Sequence, residues 1–600
     1  VLFRRHRSAA FSERTLSVRR FTGSVAMGIA FFVGLHSCDR CDAMQPPPST
    51  SDIPIFVGQS RVYGMPLAVD VKPADAAFHN PQTLSQLWSL AATNPWDAYR
   101  GLWLRLSAQP NDVRARSLLS LTDDPLAVEL VRGRAAPREL NWERRQHWRA
   151  QTTHFVIYST ATQDQTHQVA IDLERYYWIW TQHFFPLWIQ RDGFTQALRK
   201  NRSLPPPRRR MRVILFADQI EYVQTLQNDV PGIERSTGYY SESAATTLLF
   251  ASDTPDLATR YHELTHQLLK ESTTSRLRGG QMAGDGDAFW IVEGIACYME
   301  STRFGDRYAT VGGPLSGQMQ FARRRLLADQ QSFNIDAFVK NGRSEVQTLD
   351  NLGQWYTFAA SLTHYMMDAR RDNGHHSVIR ILADLYKIRL TDGPNGFAKH
   401  PPTVPLPDLP TLRAFLQLDD PAIADLVLGG RDGLPDERGM RELCLSGTGV
   451  TATGIKALPA LPALEWLDLS GIPIDDQQLS RLVGDAKKMR KLSIDRTKVT
   501  GSDANLLKSA NHLTECDLSF TQVGDAFVDR LCANAPLETL WLTGTNVDDA
   551  LVKSLIAEQT LEALDVQRTS ITPAATQRLR NARPGVDVNP LRLIDSGTAP

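Results

Sequence analysis

From residue 443 onward the sequence repeats itself. Leu443-x-Leu445, Leu467-x-Leu469, Leu492-x-Ile494, Cys516-x-Leu518, Leu540-x-Leu542 and Leu564-x-Val566 follow one another at intervals of 24, 25, 24, 24 and 24 residues. Apolar residues two apart point to the same side of an extended chain, so each pair predicts a short strand with one buried face. A unit of this size cannot bury that face alone, but a stack of six can, and this dictates a solenoid. Most pairs are followed three residues later by Thr (Thr448, Thr497, Thr521, Thr545, Thr569), then by Val or Ile two further on. Helical spacing such as Ala550 to Ile556 supplies the opposite, convex side. Cys516 takes an inward strand position and needs no redox role.

The pattern resembles leucine-rich repeats, with Thr where that family often has Asn or Cys. In parallel strands the alternate residues face the concave surface, in columns containing Trp466, Asp468, Lys491, Asp495, Glu515, Asp517, Trp541 and Asp565. Carboxylates beside two aromatics make a candidate surface for a protein partner; the alternative is a solvated face.

Six hundred residues exceed what one core can serve, and 42% apolar with 22% charged residues marks ordinary globular domains. Lys plus Arg and Asp plus Glu both number 66, so no overall field recruits nucleic acid or an anionic membrane. The segment 1–50 has six Arg before residue 21, an apolar run Val25 to Leu35 too short for a comfortable membrane span, and Pro46 to Pro48. That layout predicts an export leader and a periplasmic, cell-envelope or secreted protein. Leu35-His36-Ser37-Cys38 resembles a bacterial lipoprotein box, so a lipid or an uncleaved anchor is the expected route to any membrane. The six Cys have no paired spacing, which argues against a disulfide framework.

Residues 51–150 read as a mixed accessory region, with extended pieces at Ile53–Val57 and Leu67–Val71 and helical patterns over Leu87–Leu106 and Arg114–Leu130. From His154 the alternation of His154–Tyr158 (strand), Asp164–Phe185 (helix), Arg212–Phe216 (strand) and Thr246–Phe250 (strand) predicts an α/β opening. Next comes Tyr261-His262-Glu263-Leu264-Thr265-His266. On a helix His262 and His266 share one face and can aim at one ion, while Glu263 projects about 100° round the axis and reaches a ligand of that ion. Thr254 is the candidate N-cap with Pro255 in the first turn, and Leu257, Tyr261, Leu264 and Leu268 form the core-facing stripe. Downstream, Trp290-Ile-Val-Glu293-Gly294-Ile-Ala296-Cys-Tyr298-Met-Glu300 is an apolar helical pattern holding Glu293. Burying that carboxylate alone would cost several kcal/mol, so a metal is its natural partner. Gly294 and Ala296 are small enough to let the first helix come close, and Glu300 is placed to orient a ligating His.

Together the two motifs resemble the gluzincin zinc metallopeptidases, over about residues 150–420, in a layout similar to uncharacterised bacterial zincin-like proteins. The resemblance implies zinc held by His262, His266 and Glu293, with Glu263 as general base. Two features depart from the aminopeptidase branch. Twenty-six residues separate His266 from Glu293, a longer gap, and no Gly-x-Met-Glu-Asn segment precedes the motif, where the chain reads Gly238-Tyr-Tyr-Ser-Glu-Ser-Ala. Aminopeptidase specificity is therefore not implied. Zinc would polarise a water and a peptide carbonyl, and a hydroxyl from a later helix would steady the oxyanion. Tyr356 is the first candidate, with Tyr239, Tyr240 and His364 behind it.

The expected fold is a multidomain α+β protein: leader and linker 1–50, accessory region 51–150, zincin-like core 151–420, α/β leucine-rich-repeat solenoid 421–590 and tail 591–600. The expected function is zinc-dependent hydrolysis, in first place of peptides, with the repeats recognising protein. An inactive zincin-like scaffold whose repeats carry the function is the alternative, and hydrolysis of a non-peptide amide or ester uses the same groups.

Overall fold

The computed structural model describes residues 56–57, 60–66 and 82–589, interrupted at 123, 138–139, 141, 190–192, 205–208, 231, 253–255, 278–280, 370, 391–403, 426–433 and 485. The expected leader, the Leu67–Val71 strand and the tail lie outside those residues. Among the described residues no helix is long and apolar enough to cross a membrane.

The protein is a mixed α/β structure. A six-stranded sheet carries the first body, with strands Glu129–Arg132 (β1), Trp148–Gln151 (β2), Phe155–Ser159 (β3), Met211–Phe216 (β4), Gly238–Ser241 (β5) and Thr246–Phe250 (β6). Their order is β1-β2-β3-β4-β6-β5. Strands β3, β4 and β6 run parallel, and β5 closes the edge antiparallel to β6. Five of the six residues of β4 are buried, as a central strand covered on both faces requires. Helix α1 (Gln163–His183) connects β3 to β4 and starts at a capping box between Thr162 and Gln165. Beyond the sheet come α2 (Leu257–Glu271), α3 (Phe289–Met299), α4 (Gly317–Arg323), which runs on as a π turn over Arg324–Ala328, and α5 (Leu352–His364).

The segment 51–150 is not a separate unit. It supplies β1 and β2, and its strand Ser60–Gly64 pairs with Tyr308–Val311. Its helix Pro95–Ala108 lies against α1, where Trp96 donates its indole N–H to the Gln182 carbonyl at 2.7 Å and Tyr99 its hydroxyl to Thr181 at 3.1 Å. One apolar core runs from Tyr63 to Leu416. The helix expected over Arg114–Leu130 covers only Val113–Leu118, because Ser120 turns the chain with a positive φ of 58° and Glu129 already belongs to β1.

The repeats form a second, seven-stranded parallel sheet: Glu442–Cys444 (β7), Trp466–Asp468 (β8), Lys491–Ser493 (β9), Glu515–Asp517 (β10), Thr539–Trp541 (β11), Ala563–Asp565 (β12) and Asp587–Val588 (β13), in chain order. Leu443, Leu467, Leu492, Cys516, Leu540, Leu564 and Val588 stand in register and are all buried. Each such Leu contributes about 1.5–3 kcal/mol. The recurrent Thr has a local reason: the hydroxyls of Thr448, Thr521, Thr545 and Thr569 donate to the carbonyls of Leu445, Leu518, Leu542 and Val566 at 2.6–2.7 Å, closing the bend after each strand.

The two bodies touch through α4. Phe321 stacks on Trp466 with ring centroids 5.1 Å apart and planes 10° apart. Arg324 Nη1 meets Asp468 Oδ2 at 2.6 Å, and the Cys444 N–H donates to Gln320 Oε1 at 3.0 Å. This corrects the expected partner surface. Trp466 and Asp468 are 6% and 1% exposed beneath the protein's own helix, Asp517 and Asp565 are also buried, and Trp541 is half-buried. Strands about 4.8 Å apart crowd short side chains between longer neighbours, so the aspartates of that face sink out of reach while the longer Glu515 stays partly exposed.

Candidate metal centre

Helix α2 is capped by Asp256, whose side chain accepts the Thr259 N–H at 3.2 Å; Thr254 and Pro255 lie outside the described residues. Every residue from Arg260 to Leu269 is buried, so α2 is enclosed all round rather than on one stripe, and Leu257, expected in that stripe, is exposed. Tyr261 stacks on Tyr176 of α1, centroids 4.6 Å apart and planes 4° apart, which fixes the rotation of α2. That rotation turns His262 and His266 toward α3.

Helix α3 is buried along its whole length. A Cβ on Gly294 would stand 2.2 Å from Thr363 Oγ1 and 2.7 Å from the Ala359 carbonyl oxygen, so this glycine admits α5, not α2 as the sequence suggested. Glu293, on the neighbouring position, faces α2 instead. Its Oε2 lies 3.2 Å from His262 Nε2 and 3.4 Å from His266 Nε2. One donor atom from each of the three residues falls within 4.8 Å of the others, and all three are buried. Among the described residues, His266 Nε2 and Glu293 Oε1 have no hydrogen-bond partner.

The electrostatics are those of a carboxylate held between imidazoles away from water. Burial alone would raise the Glu293 carboxyl, but His266 and His262 hold it far below the usual range. Burial alone would lower His262, yet Cys297, Glu293 and Glu300 lift it well above the ordinary imidazole value. Glu300 Oε1 sits 2.7 Å from His262 Nδ1, the contact expected of it, which presents Nε2 to the centre.

Glu263 points to the sheet edge, where its Oε2 accepts the Tyr240 N–H of β5 at 2.7 Å. Burial pushes its carboxyl above the usual range, against the pull of His262 and His266. Tyr356, on α5, is buried with its ring 6.3 Å from His262, and burial drives its hydroxyl well above the ordinary phenol value. Tyr239 and Tyr240 lie on β5; the Tyr240 hydroxyl donates to Glu271 at 3.1 Å. His364 belongs elsewhere, bonded to Ser316 and Asp368. Sequence reasoning missed Tyr386 and Arg343. Burial drives the Tyr386 hydroxyl above the ordinary phenol value, with Glu293 adding to the rise and Arg343 opposing it, and Arg343 likewise opposes the rise at Tyr356 and Tyr239. Neither carries a local sequence signal, because each reaches the site only through the packing of distant helices.

No protein-family model and no curated protein matches the chain. Among solved structures, a leucine-rich-repeat protein of Leptospira interrogans aligns with 28% of this chain at 17% identity and a TM-score of 0.20, and an internalin of Listeria monocytogenes with 28% at 16% and 0.20. The alignments span 38% and 49% of those chains, less than two thirds of either. The repeat solenoid of this chain rests on its own strand register and spacing.

Proposed function

We propose that the protein is a zinc-dependent hydrolase, in first place a peptidase of the gluzincin kind, with His262, His266 and Glu293 as ligands. The observation that carries this reading is the buried convergence of His262 Nε2, His266 Nε2 and Glu293 Oε2, in which His266 Nε2 and the second Glu293 oxygen, Oε1, have no hydrogen-bond partner among the described residues. Buried polar atoms without partners are costly, and two imidazoles with one carboxylate is a donor set that suits zinc and leaves a coordination position open. Zinc bound there supplies a Lewis acid and lowers the pKa of water to about 7.

The chain's own residues do the rest. Glu263 holds the proton taken from the attacking water, with the Tyr240 N–H keeping its second oxygen in place. A carboxyl raised by burial is a better base than an exposed one and can pass the proton on to a leaving amine. The Tyr356 hydroxyl, kept protonated by burial, donates to the developing oxyanion. A closed structural site would need no base at all, and the presence of Glu263 favours catalysis over a scaffold role. Glu263→Gln is expected to retain zinc and to lose cleavage of an unfolded protein such as casein; undiminished cleavage would sink the assignment of the base.

A further inference from the structure

The concave face of the first repeats is covered by α4, and the same helix reaches the other way to the metal centre. Gln318 Nε2 donates to Glu300 Oε2 at 2.9 Å, and the second oxygen of that carboxylate stands 2.7 Å from His262 Nδ1. The helix has little freedom to slide or turn. Ser316 caps it by accepting the Met319 N–H. Gln320 holds its first turn, donating to the Pro314 and Ser316 carbonyls at 3.0 and 3.2 Å while accepting the Cys444 N–H of β7 and Arg323 Nη1, both at 3.0 Å. Arg323 donates through Nε to the Leu416 carbonyl at 2.9 Å. Phe321 and Arg324 then fasten the helix to Trp466 and Asp468 of β8. The π turn that begins at Arg324 shifts the register of its side chains by one residue relative to an α-helix, the kind of local irregularity often found at functional sites.

We propose that Gln318 is a positioning residue through which the repeat face sets the orientation of His262: Trp466 and Asp468 fix α4, α4 fixes Gln318, and Gln318 fixes the Glu300 carboxylate that orients the imidazole. The solenoid is then a structural part of the metal centre rather than a detachable capture module. The relay concerns protein groups alone, and only its effect on metal affinity rests on the zinc reading above.

The test has two readouts on the full chain. In metal-free protein labelled with ¹⁵N-histidine, the Nδ1 resonance of His262 is expected to move in Gln318→Met, which keeps the length of the side chain but removes its N–H. It is expected to move in the same direction in Trp466→Ala and Asp468→Ala and to stay in place in Trp466→Phe, which keeps the ring stack. Zinc affinity, measured by competition with a chromophoric chelator, should fall about 3–10-fold in the three disruptive variants, less than the 10–100-fold typical of a direct partner of a ligand. Gln318→Met combined with Trp466→Ala should be no weaker than the worse single variant, since both cut one chain of contacts. A His262 resonance unmoved in both Trp466→Ala and Asp468→Ala overturns the relay, whatever the metal does. If the wild type takes up no zinc but the resonance shifts as described, the relay stands and the zinc reading falls.

Discussion

Asp468→Asn probes the joint between the two bodies and carries a pH signature. Arg324 lies between two carboxylates, Asp468 Oδ2 at 2.6 Å from Nη1 and Asp329 Oδ1 at 3.1 Å from Nε, with side chains 1% and 4% exposed. Burial, opposed by Arg324 and reinforced by Asp468, pushes Asp329 up to about 7 from 3.8. A carboxyl raised in the folded state contributes stability that is complete below its unfolded pKa and lost as pH climbs through the folded one, so wild-type stability should decline between about pH 4 and 7. Three pKa units correspond to at most about 4 kcal/mol. Removing the Asp468 charge lets Asp329 ionise more readily and take over Arg324. Breaking a buried pair outright costs about 3–5 kcal/mol, and this substitute partner brings the figure to about 2–3 kcal/mol at pH 5. At pH 8, where the wild type holds two buried carboxylates against one guanidinium, the cost should be at least about 1 kcal/mol smaller. Urea unfolding of both proteins at the two pH values, followed by tryptophan emission, measures the difference. An equal cost at pH 5 and pH 8 would refute the argument that the two carboxylates compete for Arg324.

Further outcomes follow from single contacts. Tyr356→Phe removes a hydroxyl without changing the packing and should lower kcat by about 10²–10³ while leaving zinc content intact, as measured on a chromogenic peptide once a substrate is found. Gly294→Ala forces a methyl against the Ala359 carbonyl and Thr363, and should lower stability by about 2–3 kcal/mol or prevent folding, read by thermal melting. In Asp329→Asn the decline of stability between about pH 4 and 7 should become shallower, leaving the part due to Glu271, which burial also raises to about 7.

What could be read from the sequence was local and periodic. Strand β6 falls on the expected residues Thr246–Phe250, and β3, β4 and α1 lie within a residue or two of expectation, because each carries its own alternation or cap. His262, His266 and Glu293 come together because two short motifs on two buried helices leave few ways to hide their polar atoms. Strand β5 was invisible, since Gly238-Tyr-Tyr-Ser has no alternation and is extended only through pairing with β6. The face of Gly294 was misjudged because a small residue announces close approach but not to which neighbour. Trp466 and Asp468 looked like an open surface for the same reason: the helix that covers them lies about 145 residues earlier in the chain, and nothing near either residue signals it.

The central claim is a three-ligand zinc site, and metal stoichiometry tests it most directly. Wild-type protein reconstituted with zinc and freed of excess should carry one ion per chain, and Glu293→Ala and His266→Ala should each lose it at the same free zinc concentration, with folding monitored alongside. Zinc retained at one per chain in both variants, or absent from correctly folded wild type, would contradict the account.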